Sequence, residues 1–196
     1  LLQISPFVKH PEILNMDWKR KKIILVTVHR RENWGGNLED INFAIKHLVA
    51  ERNDISFLIP MHKNNIVRDK IISDLSGTSG IFLTNPLNYE ELIGAIKNCH
   101  FVLTDSGGIQ EEAPTFGKPV LILRDNTERQ EALEAGISKL IGTKRINIIN
   151  AVNEILDNSK LYKKMSKSVN PFGDGNASER IYTHCINFLE ESGQLK

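Results

Sequence analysis

Residues 23–28 read IILVTV, a stretch that is apolar and β-branched with almost no polar alternation. A strand with one wet face alternates apolar and polar side chains. An unbroken run instead demands cover on both faces, which is the signature of a buried parallel strand. Further short apolar runs follow: ISFLIP (55–60), IFLT (81–84), FVLT (101–104), PVLIL (119–123) and a weak KLI (139–141). Segments with helical periodicity separate them. Residues 38–52 carry Leu38, Ile41, Ala44, Ile45, Leu48 and Val49 at helical spacing, with Asn37 as a predicted cap. Helices are also predicted over 64–75, over 88–99 with Leu92, Ile93 and Ile96 inward, over a short stretch at 108–116, and over 128–135, where Gly136 stops the turn. Two more, over 146–157 and 177–190, end the chain.

Repetition of β then α, about six times over, predicts an α/β fold: a doubly wound parallel sheet of about six strands, Rossmann-like, with helices on both faces. Length agrees, since 196 residues suffice for one large domain. The irregular stretch is SKSVNPFGDG (166–175), read as a linker to a last helix that docks away from the main sheet. Asn176 is predicted to cap that helix, with Glu179 completing a capping box. The expected organisation is a segment over 1–22, a nucleotide-binding body over 23–170 and a terminal linker and helix over 171–196.

Charge narrows the partners. Lys and Arg total 25 against 24 Asp and Glu, a net charge of +1, so no strongly basic face is offered to a nucleic acid. A local cationic pocket for a small anion remains open. Cys99 and Cys185 stand far apart with no His or Cys at metal-ligand spacing. They predict no metal site and no disulfide framework, but a reducing, cytoplasmic setting with two partly buried thiols acting as small hydrophobes. No apolar window approaches the ~18 residues of a membrane span. The start, LLQISPFVKHPEIL, is broken by Pro6, Lys9, His10 and Pro11, so it is not read as a signal peptide. Its lack of an initiator Met points to a chain cut from something longer.

In open α/β sheets ligands bind beyond the carboxyl ends of the strands, so the loops there carry the chemistry. After the first strand comes HRRENWGG, with His29, Arg30, Arg31 and Glu32. Arginine offers a planar fork that matches phosphate oxygens, and a histidine beside phosphate donates a hydrogen bond. The competing reading pairs Arg31 with Glu32 and ties His29 to neighbouring backbone. After the second strand come Met61, His62 and Lys63, a second polar cluster near the same edge.

After the fourth strand comes TDSGGIQEEA (104–113). Gly107 and Gly108 lack a Cβ and let an oxygen-rich ligand approach the backbone. The helix that follows aims free N–H groups at an anion, and Ser106 adds a hydroxyl. Glu112, about one turn into that helix, leans back toward the ligand, where an acceptor-only carboxylate suits the vicinal hydroxyls of a ribose. The blander alternative is a capped helix whose Glu111 and Glu112 merely complement the dipole. After the fifth strand comes RDNTERQEALEAG (124–136). Arg129 reaches the same anion with Glu128 to orient it, since a cation near a helix start is unfavourable without a partner. Together these loops point to a nucleoside diphosphate. P-loop, GxGxxG, HExxH, CxxC and GxSxG patterns are missing, so no dinucleotide, metal or other cofactor is expected.

Taken together, VTVHRREN (26–33), TDSGGIQEEAPTFGKPVLILRDNTERQEALEAG (104–136), KLIGT (139–143) and NPFGDGNASERI (170–181) resemble the C-terminal domain of non-hydrolysing UDP-N-acetylglucosamine 2-epimerases. The resemblance keeps order and spacing along almost the whole chain. It implies the C-terminal half of a glycosyltransferase-B-like fold, with a UDP-sugar in the interdomain cleft. It also implies interconversion of UDP-GlcNAc and UDP-ManNAc, by elimination of UDP to 2-acetamidoglucal and its re-addition. By motif position, Ser106, Gly107 and Gly108 meet the phosphates, Glu112 the ribose, and His29 and Arg129 the diphosphate, with His29 as the catalytic group. Arg30 and His62 match positions that contact an activating second UDP-GlcNAc, and the family suggests a homodimer.

The resemblance has departures. Gln130, Glu131 and Ala132 stand where members commonly have Pro-Glu-Gly, and Leu92 stands where many place an aromatic over the uracil. The family's C2 proton-transfer carboxylates belong to its N-terminal domain, so this stretch is expected to need that domain or a complementary chain. A glycosyltransferase of the same fold, or a non-catalytic nucleotide-binding module, stands as the alternative.

Overall fold

The computed structural model describes Leu1 and residues 3–194. The expected segments 1–22 and 171–196 extend over residues 2, 195 and 196, which lie outside the described residues. A six-stranded parallel sheet runs through the molecule in the order β3-β2-β1-β4-β5-β6. Its strands are β1 (Lys22–Thr27), β2 (Ile55–Pro60), β3 (Ile81–Thr84), β4 (Phe101–Thr104), β5 (Val120–Ile122) and β6 (Ser138–Leu140). The order reverses between β1 and β4, which places a crevice at their carboxyl ends. Register carries the reversal through, with Thr27 level with Thr104.

Both faces of the sheet are covered, as the unbroken apolar runs require. Ile24, Val26, Phe57, Ile59, Phe101 and Leu103 point to one side. There α1 (Gly36–Glu51), α2 (Asn65–Leu75), α6 (Arg145–Asp157) and α7 (Ser159–Ser166) contribute Leu38, Ile41, Val67, Ile71, Val152 and Met165. Alternate residues Ile23, Leu25, Leu58, Val102, Val120 and Ile122 face the other side, against Ile93, Ile96 and Cys99 of α3 (Tyr89–Asn98) and its end. Burial pushes the Cys99 thiol up to about 12. Cys185, expected to be partly buried as well, is instead exposed. Up to residue 21 the described residues form neither helix nor strand. Part of the segment lies against α3, where Lys97 Nζ donates to the Ser5 carbonyl at 2.7 Å, and Val8, Ile13 and Trp18 pack on the core.

Local chemistry corrects several expectations. α1 begins at Gly36 after Gly35, whose φ of 75° suits glycine, so Asn37 does not cap it. The Asn37 amide donates instead to the Glu32 carbonyl at 3.0 Å. The single helix expected over 108–116 divides into α4 (Gly107–Glu112) and a 3₁₀ turn (Ala113–Phe116) that admits Pro114. Beyond α5 (Gln130–Glu134), α7 adds a helix that periodicity missed. The last helix, α8 (Ala177–Glu191), follows Asn176, but that side chain makes no capping bond. Asp174 takes the Asn176 N–H and the Arg180 guanidinium instead.

Candidate functional site

A cleft of about 500 Å³ opens at the switch point, beyond the carboxyl ends of β1, β2 and β4. His29 enters from the β1 loop and His62 from the β2 loop, their rings 5.9 Å apart, with Lys63 beside them. Pro86, Leu87 and Leu92, from the turn before α3 and its first turns, give an apolar wall. The α4 side contributes Ser106, Gly108 and Glu112. Among the residues predicted from sequence, His29, His62, Ser106, Gly108 and Glu112 thus line one space.

Arg30, Gly107 and Arg129 stand at its edge. A Cβ placed on Gly107 would lie 3.5 Å from the Arg129 guanidinium and 3.8 Å from Arg30 Nη2. Two cations from loops about a hundred residues apart therefore converge on one glycine. At Gly108 a Cβ would meet nothing within 4 Å, so that position opens into the cleft. Neither glycine has a positive φ, so their value here is room for a close approach rather than backbone freedom. The strand ends are themselves tied: the Thr27 and Thr104 hydroxyls lie 2.5 Å apart, and Thr104 Oγ1 accepts from Ser106 N at 2.9 Å.

Arg129 has the partner its position needs, but it is not Glu128. Its Nε donates to Glu111 Oε1 at 2.7 Å and its Nη2 lies 2.6 Å from the same oxygen as an ion pair, while Glu128 is 4.0 Å away. Glu128 belongs to Arg124, whose guanidinium is only 4% exposed and demands carboxylates. Arg124 donates to Glu128 at 2.7 Å and to Glu32 at 2.8 Å, and its hydrogen bonds hold the Glu128 carboxyl down at about 2. That capture leaves Glu32 with Arg124 and not with Arg31, the partner the competing reading gave it. Arg31 lies over the Trp34 ring at 5.9 Å instead.

Glu112 is more than a dipole complement. It accepts from the Tyr89 hydroxyl at 3.1 Å, and burial raises its carboxyl above the usual range against the pull of that bond. The Tyr89 phenol is likewise raised by burial. α4 spans only Gly107–Glu112, so its dipole supplies less than a long helix would, and the side-chain cations carry the positive field.

Asp105 is the buried residue of the site that pattern reading passed over. Fully buried, it accepts from His29 N at 3.1 Å, Arg30 N at 2.9 Å and Asn33 Nδ2 at 2.9 Å. Its own carbonyl accepts from Arg30 Nε at 3.0 Å, and Oδ1 lies 3.7 Å from His29 Nδ1. The sequence signal was present, an acid between the apolar FVLT and the small SGG. The contacts that give it meaning come from a loop more than seventy residues earlier.

In sum the site presents a cationic edge over bare backbone, a half-buried carboxylate and an apolar wall. Such a surface matches an anion joined to a polyol and a flat ring. Among the described residues there is no cluster of three His, Cys, Asp or Glu able to hold a metal, and no helix long and apolar enough to cross a membrane.

Comparison with known proteins places this geometry. A family model described as UDP-N-acetylglucosamine 2-epimerase matches residues 2–185. The UDP-N-acetylglucosamine 2-epimerase of Campylobacter jejuni is 48% identical over 169 residues, covering 86% of this chain and 43% of that protein. S. aureus MnaA, solved with UDP, is 47% identical with a TM-score of 0.84, over 88% of this chain and 47% of that one. The Neisseria meningitidis UDP-GlcNAc 2-epimerase bound to UDP-GlcNAc is 42% identical with a TM-score of 0.82, over 85% and 45%. The chain spans less than half the length of these relatives. With the fold, the motif loops and the family model in agreement over nearly all its length, this chain belongs to the UDP-N-acetylglucosamine 2-epimerase family and corresponds to its C-terminal, Rossmann-like domain.

Proposed function

We propose that the cleft holds the UDP moiety of UDP-GlcNAc and UDP-ManNAc, and that this chain is the leaving-group half of an enzyme interconverting them. The observation that carries the reading is the convergence of Arg30 and Arg129 over Gly107, beside Ser106 and one helical turn from Glu112. A diphosphate fits the cations and the bare backbone, the ribose hydroxyls fit the Glu112 carboxylate, and uracil fits the wall of Pro86, Leu87 and Leu92. Leu92 covers the base by contact area, without the stacking an aromatic ring would add.

In the proposed reaction a base removes the C2 proton while the C1–O bond breaks, and the bonding pair leaves with UDP. The product is the C1–C2 alkene, 2-acetamidoglucal. Return of a proton to the opposite face of C2, with re-addition of the UDP oxygen at C1, gives the epimer. Arg129, Arg30 and His29 stabilise the charge that develops on the departing diphosphate, and His29 is the catalytic group at that oxygen. The acid and base at C2 are assigned to a family N-terminal domain or a complementary chain, so the 196 residues alone bind UDP without epimerising. A second UDP-GlcNAc, as activator, is assigned to Arg30 and His62. Soluble, cytoplasmic action and pairing as a homodimer belong to the same reading.

Calorimetric titration with UDP and UDP-GlcNAc tests it. Glu112→Ala and Arg129→Ala are each expected to weaken UDP binding by roughly 2–3 kcal/mol, as for loss of a desolvated charged contact. Wild-type affinity in both variants would remove both assignments, and formation of UDP-ManNAc by the purified chain would refute its inactivity.

A further inference from the structure

We infer that Asp105 is a positioning residue that presets the cationic loop after β1 for a diphosphate before any ligand arrives. The inference rests on the UDP reading above and deepens it. A free loop carrying His29 and Arg30 would sample many conformations, and ordering it on binding would cost affinity. The Asp105 carboxylate, with no exposed surface, takes the His29 and Arg30 backbone N–H groups and the Asn33 amide. Asn33 also donates to the Leu123 carbonyl at 3.1 Å, so the same lock reaches the end of β5 and the loop bearing Arg129.

The Arg30 side chain is fixed from its other end, Nε donating to the Asp105 carbonyl at 3.0 Å, which leaves Nη2 directed at Gly107. Asp105 directly precedes Ser106 and Gly107, so the element that offers backbone to the phosphates also sets the cations that face them. It touches no ligand itself; it acts through His29 and Arg30. A buried carboxylate with this many donors is also costly to leave unpaired, which keeps the loop closed on it.

The experiment compares UDP with uridine, both titrated against the 196-residue chain by amide NMR. Asp105→Asn keeps the side-chain shape but loses the charge and one acceptor. Asp105→Asn is expected to weaken UDP binding about tenfold or more, the scale of lost support behind a ligand-contacting group, while uridine binding stays within about twofold. Adding Asp105→Asn to Arg30→Ala should then cost far less than it does alone, because the two act through one contact. Should Asp105→Asn fail to fold, Asn33→Ala removes one donor to the same carboxylate and is expected to lower UDP affinity several-fold with uridine unchanged. Unchanged UDP binding, or equal loss for UDP and uridine, would overturn the inference. Failure of the wild-type chain to bind UDP would overturn the UDP reading itself, a separate result from a normal wild type with an indifferent Asp105→Asn.

Discussion

α6 and α8 carry similar patterns and meet opposite fates. α6 buries Ile148, Ala151, Val152, Ile155 and Leu156, largely against α1 and the sheet. α8 is of similar length and also amphipathic, yet none of its residues is buried, and Ile181, Tyr182 and Phe188 stay 62–68% exposed. Its clearest tie is local, the Arg180 guanidinium on Asp174. Amphipathic spacing therefore states what a helix can bury, not that a counter-surface is present. Most helical stability in a folded protein comes from the packed face, and α8 has no such face within the described residues.

The contrast is easiest to break by truncating one apolar residue in each helix. Ile155→Ala should cost about 2–5 kcal/mol of stability in urea unfolding, while Phe188→Ala should stay within about 0.5 kcal/mol. Equal costs would mean that α8 is packed in solution. A second test concerns α7, which lies between them in sequence. The His100 ring stacks on Tyr162 of α7 at 4.2 Å, and the Tyr162 hydroxyl donates to the His100 carbonyl at 3.1 Å. Burial pushes the His100 imidazole down to about 4, below its unfolded value of 6.5.

Between those two values the unfolded chain binds the extra proton and the folded chain does not. The His100 contribution is thus fully present above pH 6.5 and is lost as pH falls toward 4. The midpoint of thermal unfolding should drop from pH 7.5 to pH 5, and His100→Phe, which keeps a ring for stacking, should show a shallower drop. An identical acid slope in that variant would assign the loss to other groups. The smallest effect is expected from ending the chain at residue 176. The melting temperature should hardly move and UDP binding should persist; a large loss in either would show α8 supporting the body.

Much of the body was legible because its central strands are covered on both faces, and unbroken β-branched runs such as IILVTV read as strands of that kind. The misses have local causes. α7 was overlooked because SKLYKKMS is short and lysine-rich, and its inward residues find their partners only across the fold. Asn37 lost its expected role to Gly35, whose positive φ lets the helix start earlier. Glu128 was read as the partner of Arg129 by nearness in sequence, but the buried Arg124 outcompeted it and Glu111 took its place.

By itself the sequence determined the doubly wound order of strands and helices and the rim on which the chemistry lies. Hydrophobic period and chain direction are local properties that need no partner to be read. Which carboxylate holds which arginine, and that Asp105 ties the β1 loop to the β4 loop, was decided only by tertiary structure. Pairing energies depend on burial and distance, and those exist only once strands far apart in the chain lie side by side.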